Sequence, residues 1–382
     1  MPDTSGLRNP GNTIQQAHAV GQSIWFDYIS RDLIDSGELK KLVDSGVRGV
    51  TSNPAIFQNA ISGSSDYDAS LARYAADNPD PASIFELLAI DDVRDAADVL
   101  RPVYDASGRA DGFVSIEVNP LLAAKTDETI VEARRLHAAI DRPNIMIKVP
   151  GTPEGVPAIR KLISEGINVN VTLLFSLNAY GAASKAYVDG LADYVEAGGD
   201  DLGVISSVAS FFVSSVDTSA DGALADVSGG DEIVGKIGVA NARLAYSAFR
   251  EVIASERWAE LSERGALPQR PLWASTGVKN PDYSDVMYMN ELMGSNTVNT
   301  APPATLDDFL DHGDVSEQVS VGVEDSHAQI ARLEELGISL DAITDELLVA
   351  GVKSFASAFE GLMGVIDTKC RELAGAPSST SD

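Results

Sequence analysis

Lys148 lies inside the apolar run NIMIKVP, residues 144–150. An amine flanked by Ile145, Met146, Ile147 and Val149 on a buried strand loses hydration, which disfavours its charged form and frees a lone pair for attack on a carbonyl. Schiff-base chemistry also needs groups that move protons at the neighbouring carbon and oxygen. Such groups stand at the ends of other apolar runs. Asp27 follows residues 23–26, Thr51-Ser52-Asn53-Pro54 follow 47–50, and Glu117 and Asn119 follow 112–116. Thr172 lies within 169–174, Ser207 and Ser210 fall near the end of a sixth run, and Ser275 and Lys279 follow 271–274. Each has an ordinary structural use: Lys148 can pair with a carboxylate, Asp27 can cap a helix, Asn53 can serve a turn before Pro54, and Thr172 is a good strand residue. An apolar-strand lysine combined with two strand-end carboxylates is a narrower pattern, and it points to amine-based carbonyl chemistry.

The elements that must position these groups follow from hydrophobic spacing. Short β-branched runs at 23–26, 47–50, 112–116, 144–149, 169–174, 203–209, 271–274 and 297–299 alternate with longer stretches of three- and four-residue apolar spacing at 84–99, 129–140, 179–197 and 232–253. Eight such units predict an α/β fold, a closed (β/α)8 barrel, whose functional groups collect at the carboxyl ends of the strands. No Gly-rich dinucleotide loop follows the first strand. Residues 222–231 read as a surface loop. After about residue 320 the pattern is helical only, at 325–336 and 345–373. The expected organisation is an N-terminal tail at 1–15, the barrel at 16–320, a C-terminal helical extension of the same domain at 321–373, and a disordered Ser/Pro-rich tail at 374–382.

With 382 residues and 44% hydrophobic content, the chain can bury a large core. Its net charge of -29 repels nucleic acid and anionic membrane surfaces, so neither is an expected partner. No run of eighteen apolar residues and no basic-then-apolar leader occurs, which predicts a cytoplasmic protein. The single cysteine, Cys370, can form no internal disulfide, and His18, His137, His312 and His327 lack metal-ligand spacing, so no metal is expected.

Seven ordered motifs then carry a resemblance: GVTSNPAIFQ from Gly49, VSIEVNP from Val114, NIMIKVPGTPEG from Asn144, GINVNVTLLFS from Gly166, SVASFFVS from Ser207, GVANARLAY from Gly238 and PLWASTGVKNPDYSD from Pro271. Together they resemble the transaldolase family, in its longer form common in actinobacteria. The resemblance implies a barrel of the class I aldolase type. It also implies transfer of a dihydroxyacetone unit from a ketose phosphate, sedoheptulose 7-phosphate or fructose 6-phosphate, to an aldose phosphate in the pentose phosphate pathway, without metal or organic cofactor. The expected partners are small sugar phosphates, and the expected assembly is a monomer or homodimer. By resemblance Lys148 is the Schiff-base lysine, Asp27 the acid/base residue, and Glu117 with Thr172 the holders of the catalytic water. Asn53 and Asn170 hold substrate hydroxyls, Ser210 lines the pocket, and Ser275 and Lys279 belong to the phosphate site.

One position departs from the family's pattern. Where the family's run reads Ser-Phe-Phe-Val-Ser-Arg-Val-Asp, residues 210–217 carry Ser215 in place of the phosphate-gripping arginine. A hydroxyl cannot reproduce a bidentate guanidinium contact, and its loss weakens binding by on the order of 1.5–3 kcal/mol, roughly ten- to a hundred-fold. Lys279, Arg243 or another cation can compensate. The alternative expectation is an enzyme of specialised sugar biosynthesis acting on an altered or unphosphorylated substrate.

Overall fold

A computed structural model describes residues 11–78 and 80–375 of the chain. Eight parallel strands close into a barrel in sequence order: β1 Gln22–Phe26, β2 Gly49–Val50, β3 Phe113–Glu117, β4 Ile145–Pro150, β5 Val169–Leu174, β6 Ser207–Phe212, β7 Arg270–Ala274 and β8 Thr297–Ala301. The ring closes where β1 pairs with β8, Phe26 lying opposite Ala301. Helices connect the strands outside the barrel, as parallel pairing requires.

The expected strand at 203–209 lies further along. Leu202–Val204 is a 3-10 turn because the Asp201 side chain accepts the Gly203 amide at 2.9 Å, and β6 begins only at Ser207. That shift places Ser210 inside the strand. Between β2 and β3 the chain adds two helices not read from spacing, Pro54–Gly63 and Asp68–Asp77, before the long helix Pro81–Ala106. The segment expected as a loop at 222–231 contains a helix end at Leu224 and a 3-10 turn at Gly230–Glu232. The helix Thr13–Val20 starts within the expected N-terminal tail and the last helix runs to Gly375. Residues 1–10 and 376–382 of the two expected tails lie outside the described residues.

Period-two alternation sorts every strand into an outer and an inner stripe. Outer residues such as Ile24, Ile147, Val171, Phe211 and Trp273 join the large core shared with the helices. Inner residues Trp25, Phe113, Met146, Val208, Leu272 and Val298 form a separate cluster inside the barrel. Below that cluster, at the strands' amino ends, Asp111 accepts from Trp25 Nε1 at 2.9 Å and from the Ser23 hydroxyl, and pairs with Arg270 at 3.2 Å. Apolar side chains and a paired charge therefore fill the lower half of the barrel.

The C-terminal helices cover the opposite end. Val323–Glu335 packs on Ile237–Ile253, and the 36-residue helix Leu340–Gly375 crosses over β5 and over the helices Pro54–Gly63, Asp68–Asp77 and Ser214–Leu224. Within its second half Leu362 and Ile366 are fully buried, each worth about 1.5–3 kcal/mol. Among the described residues this is the one helix long and apolar enough by composition to cross a bilayer, and here its inner face lies on the barrel.

Candidate active site

Two residues beyond the inner apolar layer, toward the strands' carboxyl ends, the same stripes become polar. Met146 is followed by Lys148, Trp25 by Asp27, Val208 by Ser210 and Val298 by Thr300. Strand pairing sets Glu117 opposite Lys148 on one side and Asn170 opposite it on the other. The expected residues Asp27, Asn53, Lys148, Thr172, Ser210, Ser275 and Lys279 line one cavity of about 360 Å³, together with Thr51, Phe212, Thr300 and Phe355.

Lys148 is buried, 6% exposed, and its Nζ donates to the Ser52 carbonyl at 3.1 Å. The Glu117 carboxylate stands 3.9 Å from the same nitrogen. Burial pushes the Glu117 carboxyl up to about 7, opposed by the Lys148 charge. Both Glu117 oxygens and the Thr172 hydroxyl are buried without a hydrogen-bond partner in the protein. Polar groups buried in this way are the kind that hold an ordered water. A backbone irregularity brackets Thr172: the β5–β6 register shifts between Val171 and Leu174, and Leu173 takes a left-handed conformation, φ 58°. Such bulges re-aim neighbouring side chains.

Asp27 lies across the cavity. Thr51 Oγ1 donates to its Oδ1 at 2.5 Å and stands 2.6 Å from Thr300 Oγ1. Burial raises the Asp27 carboxyl, while the Thr51 hydrogen bond and the Lys148 charge pull it back down. Asn53 caps the helix Pro54–Gly63, its Oδ1 accepting from the Ile56 amide at 3.0 Å. The helix uses the oxygen, so the amide nitrogen is the part left to face a ligand. Asn170 is fully buried, donating to Ser115 Oγ at 3.0 Å and accepting from Ser210 Oγ at 2.7 Å. It therefore orients Ser210 beside Lys148 and does not line the cavity.

The far end gathers hydroxyls and one amine. Ser275, held at the left-handed φ of 55°, has its Oγ 2.8 Å from Ser214 Oγ and 3.4 Å from Ser215 Oγ. Lys279 Nζ donates to Ser215 Oγ at 3.3 Å, and desolvation pushes its amine below the ordinary lysine range. Ser214 and Ser215 open the helix Ser214–Leu224, whose first amide is taken by the Ser275 carbonyl at 3.1 Å. Arg243, the other cation considered for this end, pairs instead with Glu291 at 2.6 Å and does not line the cavity.

Some members of the site were not read as such from the sequence. Thr300 follows Val298 on the inner stripe and was legible once the register of β8 was known. The Ser52 contact uses a backbone oxygen, which residue type cannot reveal. Phe355 arrives from the C-terminal helix, over 200 residues beyond Lys148, with no local signal.

A family model described as "Transaldolase/Fructose-6-phosphate aldolase" matches residues 24–366. A protein of Trichodesmium erythraeum named "Transaldolase" is 45% identical over 375 residues, covering 95% of this chain and 98% of the relative. One of Thiobacillus denitrificans with the same name is 46% identical, covering 93% and 99%. One of Saccharopolyspora erythraea, also so named, is 48% identical, covering 91% and 94%.

Proposed function

The chain belongs to the transaldolase/fructose-6-phosphate aldolase family and is an enzyme of that kind; from this premise we propose that it moves a dihydroxyacetone unit between sugar phosphates through a Schiff base on Lys148. What carries the reading is the Lys148 amine on the cavity wall, with Glu117 at 3.9 Å on one side and Asp27 lining the same cavity. The amine attacks the ketose carbonyl carbon, and the carbinolamine loses water. Glu117, holding its proton up to about pH 7, delivers the proton that lets the hydroxyl leave, with Thr172 aligning that water. The resulting iminium is an electron sink. Asp27 takes the proton of the C4 hydroxyl while the C3–C4 bond breaks, the aldose departs, and an enamine remains on Lys148. An acceptor aldehyde then runs these steps in reverse.

At the far end Lys279 and Ser275 face the substrate phosphate, with the Ser215 hydroxyl contacting both from behind the cavity wall. Lys279 and Ser275 keep their side of that site while the Ser215 hydroxyl replaces a guanidinium, so the grip is weaker than one that includes a bidentate contact. Sedoheptulose 7-phosphate and fructose 6-phosphate are the proposed donors, and cytoplasmic sugar-phosphate interconversion the proposed setting. The test is borohydride reduction during turnover with each donor, followed by peptide mass analysis. Reading and result agree if the peptide containing Lys148 gains the mass of the reduced ketose-derived adduct. A protein that transfers the unit without any adduct at Lys148 contradicts it.

A further inference from the structure

The helix Leu340–Gly375 delivers Phe355 into the catalytic cavity, where its ring centroid stands 5.9 Å from Lys148 Nζ. Resting on the Schiff-base reading above, we propose that Phe355 is a specificity-determining residue that decides the fate of the carbon unit held on Lys148, favouring its transfer to an aldehyde over its release as free dihydroxyacetone.

The two fates differ by one partner. In transfer, the enamine carbon forms a C–C bond to the acceptor aldehyde and the aldehyde oxygen takes the proton held by Asp27. In release, the same carbon takes a proton instead. In both fates water then adds to the iminium carbon and the C–N bond breaks, returning the Lys148 amine with either the new ketose or free dihydroxyacetone. Both balance without any redox partner. The fates part at the enamine carbon, where release needs a proton delivered by way of water, and an apolar ring beside that site opposes such delivery.

The fold holds Phe355 in place from both directions. One turn earlier the helix comes close to β5 at Gly351, where a Cβ would lie 3.0 Å from Leu173 Cδ2 and 3.6 Å from the Phe175 ring. Phe175 in turn packs on Phe212, which lines the cavity, at 5.1 Å between centroids. One turn later Phe359 packs edge-on against Phe85 at 5.9 Å, and the buried Leu362 and Ile366 follow. The ring is thus pinned between a close backbone approach and a hydrophobic anchor, beside a nitrogen that also contacts the Ser52 carbonyl and the Glu117 carboxylate.

The experiment compares the full-length protein with Phe355→Leu, Phe355→Val and Phe355→Ala, using fructose 6-phosphate as donor. Transfer to an aldose phosphate and dihydroxyacetone release without acceptor are both measured, with borohydride trapping at Lys148 as a third readout. The release-to-transfer ratio is expected to rise as the side chain shrinks, reaching about ten-fold in Phe355→Ala while trapping persists. A merely structural role would lower both rates together and leave the ratio unmoved, and that result overturns the proposal. If Phe355→Ala does not fold, a flat ratio across the Leu and Val variants overturns it equally. Absence of trapping in the unsubstituted protein would instead strike the Schiff-base premise, and the proposal with it.

Discussion

Glu117 shows how burial alone can set chemistry. Its carboxyl, ordinarily near 4.5, is held up at about 7 because its oxygens are buried with no donor but the nearby Lys148 charge. In the unfolded chain the same group loses its proton near 4.5, so between pH 4.5 and 7 the folded state holds more protons. Stability contributed by this residue is therefore present below pH 4.5 and is lost as pH rises through 7, by about 3 kcal/mol in all. Glu117→Gln is expected to lose less stability than the unsubstituted protein between pH 5 and pH 8 in denaturant titrations, and equal losses would show that burial does not hold the proton. Behind the other end of the cavity, Ser215 stands 3.3 Å from the Lys279 amine and beside Ser275. Ser215→Arg adds a bidentate donor beside Lys279, at the proposed phosphate site, and the KM for fructose 6-phosphate is expected to fall several-fold with kcat little changed. An unmoved KM would show that Lys279 and the two hydroxyls already hold the phosphate in full.

Elements, in turn, depend on positions where side chains are excluded. Gly155 starts the helix Gly155–Ile163 that follows β4, and a Cβ there would lie 1.9 Å from the Pro150 carbonyl oxygen, a backbone atom that cannot step aside. Because Pro150 ends the strand that carries Lys148, Gly155→Ala must displace the carboxyl end of β4. Such overpacking destabilises by about 1–3 kcal/mol, and borohydride trapping at Lys148 should fall with it. Gly181, in the helix Leu177–Glu196, has nothing within 4 Å of a built Cβ. Gly181→Ala is thus expected to raise Tm, gaining up to about 1 kcal/mol from helix propensity. If the two variants melt alike, steric exclusion at Gly155 is not what shapes that turn. The bulge at Leu173 acts on the same scale: it was invisible in VNVTLL, which reads as an ordinary buried strand.

Across the whole molecule, the barrel places an apolar, charge-plugged half beneath a polar half and lays the C-terminal helix across the opening. Strand count, parallel order and the inner position of Lys148, Asp27, Glu117 and Thr172 were legible because they depend on local periodicity: a residue's face follows from counting by two along a strand. The sixth strand was misplaced by a few residues because a side-chain-capped turn at Asp201 interrupts an otherwise β-like run. By itself, then, the amino-acid sequence determined the family, the eight βα units and the residue types at the strand ends. Tertiary structure alone decided three further things. Asn170 is engaged by Ser115 and Ser210. Arg243 is paired with Glu291 and kept from the Lys279 end of the cavity. Phe355 stands over Lys148. The physical reason is common to all three: each depends on a contact between residues far apart in the chain, and such contacts leave no periodic trace in the segments that make them.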